Sequence, residues 1–330
     1  MPARPVTRSN VTVAFLGCGR MAERHSTLLR AHPQVARYYA SRDANRASAM
    51  SAALGGAGAL GSYNEALADA RITCVVVVTP PATHLPLVLD ALAAGKDVVV
   101  EKPAFLHSRD ADTVAAAAAA AGRMVLVAEN YHYKPLAVLL REVTNSGALG
   151  DVRFVHVNAL KRQAVPGWRN DPAMAGGGAL FEGGVHWVHF MANLGLTVTG
   201  VRGWSAPRRA PDEPERSSLV HFDYAGGAVG VLAHSWEVPA PFGGLCLSGI
   251  QGTAGTVHFE SNGLGVLIRA RGTRIRLPGL RDIVGFRAMW RDFVASLASR
   301  RAPQMTLAHA REDLAMIEAA TGNVASGGNR

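Results

Sequence analysis

The chain has 330 residues, of which 48% are hydrophobic, 6% aromatic and 18% charged, a globular composition long enough for two hydrophobic cores. Lysine and arginine number 34 against 25 aspartate and glutamate, and the net charge of +9 suits an anionic partner. The basic residues are scattered, without a run of five and without interleaved aromatic residues. We therefore expect no nucleic-acid partner and take a phosphorylated cofactor as the simpler anion.

The cysteines and the start of the chain favour a reducing compartment. Cys18, Cys74 and Cys246 are far apart and odd in number, which argues against a disulfide framework and against C-x-x-C chemistry. Residues 1–9 are interpreted as a loose tail without a secretory signal. The longest apolar candidates, such as residues 72–78, fall well short of the ~20 residues that span a membrane. We expect a soluble, cytoplasmic protein with no membrane partner.

Apolar segments alternate with helical segments over the first part of the chain. The predicted strands are 11–16, 35–40, 74–78, 97–100 and 124–128. The predicted helices are 21–31, 45–54, 85–94 and 108–121, the last with seven consecutive alanines. Strands that are apolar without alternation indicate a parallel sheet buried on both faces. This α/β pattern predicts a first domain over residues 10–130.

Beyond residue 150 the pattern changes to short or alternating strands separated by glycine-rich turns. The predicted strands are 152–160, 219–224, 229–236, 245–250, 256–260, 266–269 and 273–277. Residues 167–194 are rich in glycine and tryptophan and become helical from Leu180, and two helices follow at 285–298 and 307–320. The prediction is an α+β domain over 131–330 with a large, mostly antiparallel open sheet. Its helix 307–320 is a candidate to fold back on the first domain.

A glycine motif lies between the first strand and the first helix. Residues 17–22 read Gly-Cys-Gly-Arg-Met-Ala, a G-x-G-x-x-A pattern. Its glycines permit a tight turn and the close approach of a pyrophosphate to the helix N-terminus. The motif predicts a dinucleotide-binding Rossmann domain, with Gly17, Gly19, Arg20 and Met21 as cofactor residues. The alternative is a glycine turn without a ligand.

The residues after the second strand bear on which dinucleotide binds. NAD enzymes usually place an acidic residue here for the ribose hydroxyls, but this chain reads Ser41-Arg42-Asp43, with Arg46 one helical turn further on. A hydroxyl and planar guanidinium groups can hold a 2′-phosphate, so we expect NADP(H) rather than NAD(H). Two alternatives stay open: Asp43 binds the ribose, or Arg42 and Arg46 line a solvated helix start.

Further stretches carry a family resemblance. Thr79-Pro80-Pro81-Ala82-Thr83-His84 follows the third predicted strand, and Glu101-Lys102-Pro103 follows the fourth. The glycine-rich stretch 176–186 places Glu182 and His186 four residues apart, and 247–257 is similar to a Gly-x-x-Gly-Thr hairpin. With the opening motif, the chain resembles the glucose-fructose oxidoreductase, inositol dehydrogenase and MocA (Gfo/Idh/MocA) family.

This resemblance implies an NAD(P)-dependent oxidoreductase of sugars, cyclitols or related polyols, with a C-terminal sheet that forms a homo-oligomer. It implies that Lys102 is the catalytic lysine and that Glu182 and His186 are the acidic residue and histidine of the second domain. Further cofactor residues are Thr79, Pro80, His84, Glu101 and Lys102 itself. Two departures are that the acidic place usually holds aspartate, which puts a catalytic role for Glu182 in doubt, and that His189 stands where aspartate is common.

The residue types suit acid–base chemistry. Positions four apart share one face of a helix, so Glu182 and His186 are expected to project together. Imidazole can take a hydroxyl proton while hydride leaves the carbon, and a carboxylate can orient the ring. The ammonium of Lys102 can polarise a carbonyl oxygen or relay the proton. For each residue a purely structural role is the alternative.

Four more residues are candidates for substrate binding. Asn130 and Tyr131 follow the last strand of the first domain, and Trp168 and Arg169 come from the glycine-rich connection. Their alternatives are a packed domain linker and a surface stack. No cluster has metal-ligand spacing, so we expect no metal.

The leading hypothesis is an NADP-dependent dehydrogenase or reductase that acts on the secondary alcohol or ketone of a sugar-like molecule. The alternatives are a reductase of a C=C or C=N bond and a regulatory protein that senses NADP without chemistry. Lys102 and His186 together favour the enzyme, since a sensor needs neither.

Overall fold

A parallel sheet of six strands forms the first part of the structure, a computed structural model that describes residues 11–322 except 209, 211 and 212. Its strands are β1 (Val11–Leu16), β2 (Val35–Ala40), β3 (Gly58–Leu60), β4 (Cys74–Val77), β5 (Asp97–Glu101) and β6 (Val125–Ala128). They lie in the order β3-β2-β1-β4-β5-β6, and their pairs are parallel. The strand order reverses beside β1, and ligands of such sheets bind at this switch point.

The apolar runs of this sheet are buried, as a parallel sheet requires. Every residue of β4, β5 and β6 is buried, so these strands read as continuous rather than alternating patterns. The helices of this part of the chain are α1 (Arg20–Leu29), α2 (Ala44–Leu54), α3 (Tyr63–Ala68), α4 (His84–Ala93), α5 (Ser108–Ala121) and α6 (Pro135–Asn145). The predicted α/β architecture is confirmed. The predicted tail, residues 1–9, lies outside the described residues.

A second sheet has eight strands and is mostly antiparallel, as predicted. Its strands are β7 (Val152–Leu160), β8 (Val198–Ser205), β9 (Ser217–Tyr224), β10 (Val229–Ser235), β11 (Leu247–Gly252), β12 (Thr256–Glu260), β13 (Val266–Ala270) and β14 (Gly272–Arg276). Their order is β14-β13-β12-β11-β7-β10-β9-β8. The strands β7 and β10 pair in parallel, and the other pairs are antiparallel.

The two faces of the second sheet differ in their exposure. Successive side chains of a strand point to opposite faces. On β9, Val220 and Phe222 are fully buried, whereas Leu219 between β8 and β10 is exposed. Trp204 lies opposite Leu219 in the ladder and is exposed as well. One face therefore belongs to the core and the other presents apolar side chains to solvent.

The helical stretch that the sequence predicts from Leu180 is divided between two short helices. The remaining helices of the chain are α7 (Pro172–Ala175), α8 (Ala179–Glu182), α9 (Val185–Ala192), α10 (Phe286–Ser299) and α11 (Leu307–Gly322). The amides of Gly183 and Gly184 both donate to the carbonyl oxygen of Ala179, and the helical pattern restarts from the carbonyl oxygen of Gly184. A Cβ on Gly184 would lie 2.5 Å from the carbonyl oxygen of Leu180. The break depends on this close approach of the backbone.

The described chain divides into two compact units. The first comprises residues 11–104, 112–128 and 289–307, and the second comprises 105–111, 129–288 and 308–322 without the three undescribed residues. The segment assigned to the first unit near the C-terminus thus holds most of α10. The helix α11, expected to be the one that returns, lies almost wholly in the second unit. Among the described residues, none of the helices combines the length and apolar character that would let it cross a membrane.

Candidate functional site

The glycine motif of the first unit forms a turn between β1 and α1. Gly17 has a φ of 110°, and a Cβ there would lie 3.2 Å from the carbonyl oxygen of Val78, so the position requires glycine. Gly19 precedes α1, and no heavy atom lies within 4 Å of the position that its Cβ would take. The first amides of a helix lack partners inside it and carry partial positive charge. Arg20 and Met21 begin this helix, so the turn offers open space and donors suited to a pyrophosphate.

The segment after β2 carries two exposed arginines, and the guanidinium of Arg46 lies near this turn. Asp43 caps α2, because its carboxylate accepts a hydrogen bond of 3.0 Å from the backbone amide two residues on. The hydroxyl of Ser41 is buried and accepts the backbone N–H of Asp43. Arg42 and Arg46 are exposed, and Nη2 of Arg46 lies 3.5 Å from the carbonyl oxygen of Cys18 within the glycine motif. The guanidinium groups of Arg42 and Arg46 therefore form no salt bridge with Asp43, whose carboxylate caps α2.

Two loops at the ends of β4 and β5 are joined through His84. Its Nε2 lies 2.8 Å from the carbonyl oxygen of Thr79, and its Nδ1 lies 3.1 Å from the carbonyl oxygens of Pro103 and Ala104. Burial lowers the pKa of His84 and outweighs these carbonyls, which favour the charged form. Because backbone groups occupy both ring nitrogens, His84 supports the loops rather than presenting its ring to a cofactor. Thr79 and Pro80 remain partly exposed.

The carboxylate of Glu101 is engaged inside the first unit. One oxygen lies 2.5 Å from Nε2 of His25, and the other accepts the backbone N–H of Lys102 at 2.9 Å. Burial raises the pKa of Glu101, but the hydrogen bond from His25, with the charge of Lys102, outweighs it and holds the pKa below its usual value. Glu101, predicted to bind the cofactor, instead has protein partners. Lys102 is partly exposed at the carboxyl end of β5.

In the second unit a buried glutamate holds His186. Nδ1 of His186 lies 2.7 and 2.9 Å from the two carboxylate oxygens of Glu129, one of which also accepts the backbone N–H of Tyr131 at 2.9 Å. Burial works to raise the pKa of Glu129, but the charge and hydrogen bond of His186 outweigh it and lower the pKa to about 2. An ionised carboxylate only accepts, so Nδ1 carries the proton that it donates. In the neutral ring, Nε2 of His186 is then the unprotonated nitrogen and can accept a proton.

The ring of His186 is also held by stacking. It lies 4.5 Å from the ring of Tyr131, with 15° between the two planes. The ammonium of buried Lys134 lies 4.4 Å from the centre of the Tyr131 ring and donates to the carbonyl oxygen of Ser261 at 3.0 Å. Burial lowers the pKa of Lys134 to about 8, against the opposing charge of Glu260. Tyr131, predicted to bind substrate, therefore contacts His186 and restricts its plane.

Glu182 does not take the place beside His186 that the sequence predicts. Its carboxylate accepts a hydrogen bond of 3.0 Å from Nε of Arg169, whose guanidinium lies 5.1 Å from the centre of the Trp168 ring. Glu182 lies on α8 and His186 on α9, so the two residues do not belong to one continuous helix as the sequence predicts. The glycine break between them is the physical reason. The structure groups Glu182 with Arg169 and Trp168 instead.

Glu129 is the residue that the sequence reasoning missed. It directly follows β6, the last strand of the parallel sheet, and carboxyl ends of such strands are where α/β folds place functional groups. That position is the signal that could have found it. The adjacent Asn130 is buried and donates its side-chain amide to the carbonyl oxygen of Val284 at 2.6 Å, so its amide serves the fold. Within the described part of the chain, no group of three or more His, Cys, Asp or Glu side chains is placed to hold a metal ion.

Comparison with known proteins identifies relatives that match about half of the chain. A mouse (Mus musculus) trans-1,2-dihydrobenzene-1,2-diol dehydrogenase is 31% identical over 156 residues, which cover 47% of this chain and 46% of that protein. The D-glucoside 3-dehydrogenase of Escherichia coli is 27% identical over 195 residues, covering 55% and 53%. The chain spans about half the length of the first curated relatives that it matches.

Solved structures extend the likeness over the full fold. GenD2 from gentamicin A biosynthesis, crystallised in complex with NAD, superposes with a TM-score of 0.85 at 28% identity, covering 99% of this chain and 97% of that one. Two family models match the sequence itself. The model described as an oxidoreductase family with an NAD-binding Rossmann fold matches residues 11–129, and the Gfo/Idh/MocA C-terminal domain matches residues 138–258. The chain therefore belongs to the Gfo/Idh/MocA oxidoreductase family.

Proposed function

We propose that this protein transfers a hydride between NADP(H) and a secondary alcohol or ketone of a sugar, cyclitol or related polyol. The observation that carries the proposal is the Glu129–His186 pair, which leaves Nε2 of a firmly held imidazole available to a substrate hydroxyl. The turn at Gly17 and Gly19 supports a dinucleotide, because a Cβ at the first would crowd the backbone and the second borders open space. Its relatives include a glucoside dehydrogenase and a diol dehydrogenase, which supports hydroxyl chemistry.

The proton is handled by the protein's own residues. A dinucleotide held at the turn of Gly17 and Gly19 would supply a nicotinamide as the acceptor of a hydride from the carbon of the alcohol. Nε2 of His186 takes the hydroxyl proton, and the carboxylate of Glu129 stabilises the resulting imidazolium while it holds the ring. The ammonium of Lys102 is assigned to the substrate oxygen, where it stabilises negative charge as the carbonyl forms. Reduction runs the same transfers in reverse.

Substrate contacts are assigned to the Glu182 group. Arg169 and Glu182 share a hydrogen bond, and Trp168 lies beside the guanidinium with its ring exposed. A guanidinium, a carboxylate and an aromatic face are the groups with which proteins hold polyols, through hydrogen bonds to hydroxyls and contact with C–H faces. Glu182 is therefore proposed as a binding residue and not as the partner of His186.

Replacing the acid–base residues should slow turnover without weakening cofactor binding. We expect Lys102→Ala and His186→Ala each to lower kcat by about 10²- to 10⁴-fold, because positioned proton transfer is lost. Glu129→Gln should lower kcat by at least about tenfold, because the ring loses its charge partner, whereas Glu182→Gln should chiefly raise KM. The measurement is NADPH absorbance with a panel of sugars, cyclitols, keto-sugars and imines, alongside calorimetric titration of NADP.

Near-wild-type kcat in both Lys102→Ala and His186→Ala would refute this mechanism. A matching loss of NADP affinity in Lys102→Ala would reduce that lysine to a cofactor contact. Tight NADP binding with no turnover of any panel compound would favour the sensing alternative, and turnover of imines alone would favour C=N reduction.

NADP preference is the finer part of the proposal. It is supported by the exposed guanidinium groups of Arg42 and Arg46 and by the use of the Asp43 carboxylate as a helix cap. A carboxylate turned toward the ribose would repel a 2′-phosphate. Because the Asp43 carboxylate caps the helix instead, this repulsion is removed, which favours NADP as much as the arginine cations do.

Removing the guanidinium of Arg42 should weaken the binding of NADP more than the binding of NAD. We expect Arg42→Ala to raise the Kd for NADP by roughly tenfold or more, since a charge-assisted hydrogen bond contributes about 1.5–3 kcal/mol, and to change the Kd for NAD much less. Arg30→Ala, at an exposed arginine beyond the end of α1, serves as the control. Calorimetric titration decides the point, and wild-type protein that binds NAD as tightly as NADP would contradict it.

The ionised state of Glu129 should make stability depend on pH. Its folded pKa of about 2 lies below the ordinary value of 4.5, so the stabilisation is present above 4.5 and is lost as pH falls toward 2. We expect Glu129→Gln to flatten the difference in unfolding free energy between about pH 7 and about pH 3 by on the order of 2 kcal/mol. Urea unfolding measures it, with Glu142→Gln at an exposed position as the control. An equal slope in wild type and Glu129→Gln would contradict the buried ion pair.

A homo-oligomer is proposed through the open face of the second sheet. Phe154, Trp204, Leu219 and Leu247 are 61%, 55%, 44% and 68% exposed on four of its strands. Apolar side chains clustered on one face favour burial, and two copies related by a two-fold axis can cover the same patch on each other.

The thiols of all three cysteines are free, which supports the proposal of a reducing, cytoplasmic setting.

Charging this face should produce monomers. We expect light scattering to give at least a dimer for the wild type and a monomer for the double variant Phe154→Glu, Leu219→Glu, because two carboxylates would be buried in each copy of the interface. Phe242→Glu is the matched control, since Phe242 is 96% exposed but lies outside the strands. A monomeric wild type at micromolar concentration would overturn the proposal.

A further inference from the structure

A buried hydrogen-bond chain of three side chains ends on the backbone of Lys102. Nε1 of Trp290 donates to Nδ1 of His25 at 2.9 Å, and Nε2 of His25 lies 2.5 Å from one oxygen of Glu101. The other oxygen of Glu101 accepts the backbone N–H of Lys102 at 2.9 Å. All four residues belong to the first unit, although Trp290 follows His25 by 265 positions.

The chemistry of the indole decides the direction of this chain. An indole N–H can only donate, so Nδ1 of His25 must be the acceptor and carries no proton. The proton of the ring then lies on Nε2, where it is donated to Glu101. Trp290 thus selects the one tautomer of His25 that can satisfy the carboxylate. Without that selection the ring could present an unprotonated Nε2 to a carboxylate, which would be repulsive.

The chain is enclosed, so its partners are not interchangeable with water. His25 is 0% exposed, Trp290 is 1% and Glu101 is 6%. Burying an ionised carboxylate costs free energy unless donors surround it, and here the donors are one side chain and one backbone amide. The rings of Trp290 and His25 also pack edge to face, with their centres 5.4 Å apart. This enclosure restrains Glu101 and, through its second oxygen, the backbone at Lys102.

We propose that Trp290 and His25 are positioning residues that act through Glu101 to hold the main chain of Lys102 and so orient its side chain for the reaction. The inference rests on the proposed function for the role of Lys102 in catalysis. The hydrogen-bond chain itself does not depend on that role. A hydride-transfer enzyme benefits because a small displacement of a catalytic group lowers the rate far more than it lowers binding.

Amide hydrogen exchange, followed by NMR, tests the chain without a substrate. In His25→Leu and Trp290→Phe we expect the Lys102 N–H to exchange at least about tenfold faster relative to amides within β5, because the carboxylate that it bonds is no longer held. In His25→Gln the amide oxygen can accept from Trp290 and the amide N–H can donate to Glu101, so protection should be largely restored. Val13→Ala, a core change in β1, controls for general destabilisation. Unchanged Lys102 exchange in a folded His25→Leu protein would overturn the chain.

Kinetics then test whether the chain serves catalysis. With the panel substrate of highest kcat/KM, we expect His25→Leu and Trp290→Phe to lower kcat by at least about tenfold with little change in the Kd for NADP. We expect His25→Gln to recover most of the wild-type kcat and Val13→Ala to keep the wild-type kcat. If Lys102→Ala lowers kcat while His25→Leu does not, the positioning role is refuted and the proposed function stands. If no panel compound is turned over, the proposed function fails, and the exchange data still decide the chain.

Discussion

Both candidate sites depend on the same physical constraint, which is that a buried carboxylate must be surrounded by donors. Glu101 meets this constraint with His25 and the amide of Lys102, and Glu129 meets it with His186 and the amide of Tyr131. In each case the carboxylate binds a histidine ring nitrogen and also accepts a backbone N–H. The negative charge is thereby kept, which is reflected in the lowered pKa of both groups. The histidines are oriented as a consequence of satisfying the carboxylates.

The proposed pyrophosphate site of the first unit also depends on backbone geometry. Gly17 takes a left-handed conformation against the end of β4, and Gly19 leaves space before α1. The neighbouring loops are held by His84, whose ring nitrogens meet backbone carbonyl oxygens on two sides. A pyrophosphate site needs such a rigid surround, because donors that already point at the ligand cost less entropy on binding.

The sequence was informative where local patterns carry the information. The buried valine runs predicted β4, β5 and β6, and alternation predicted most of the second sheet. The strands β3 and β8 and the helices α3, α6 and α7 were missed. A three-residue strand has no period, and β8 has glycines at 200 and 203. Their pairing with longer neighbours stabilises them, and propensity does not reveal that.

The sequence by itself determined the order of an α/β and an α+β part, the glycine turn before α1, and the presence of Ser41 and Arg42 directly after β2. Each of these features depends on residues that are neighbours in the sequence. Only the tertiary structure decided which carboxylate meets which histidine. Four-residue spacing suggested Glu182 for His186, but glycines break that helix, and the partner is Glu129, 57 positions away. Pairing of buried charges depends on proximity in space and on desolvation, and neither quantity can be read from spacing along the chain.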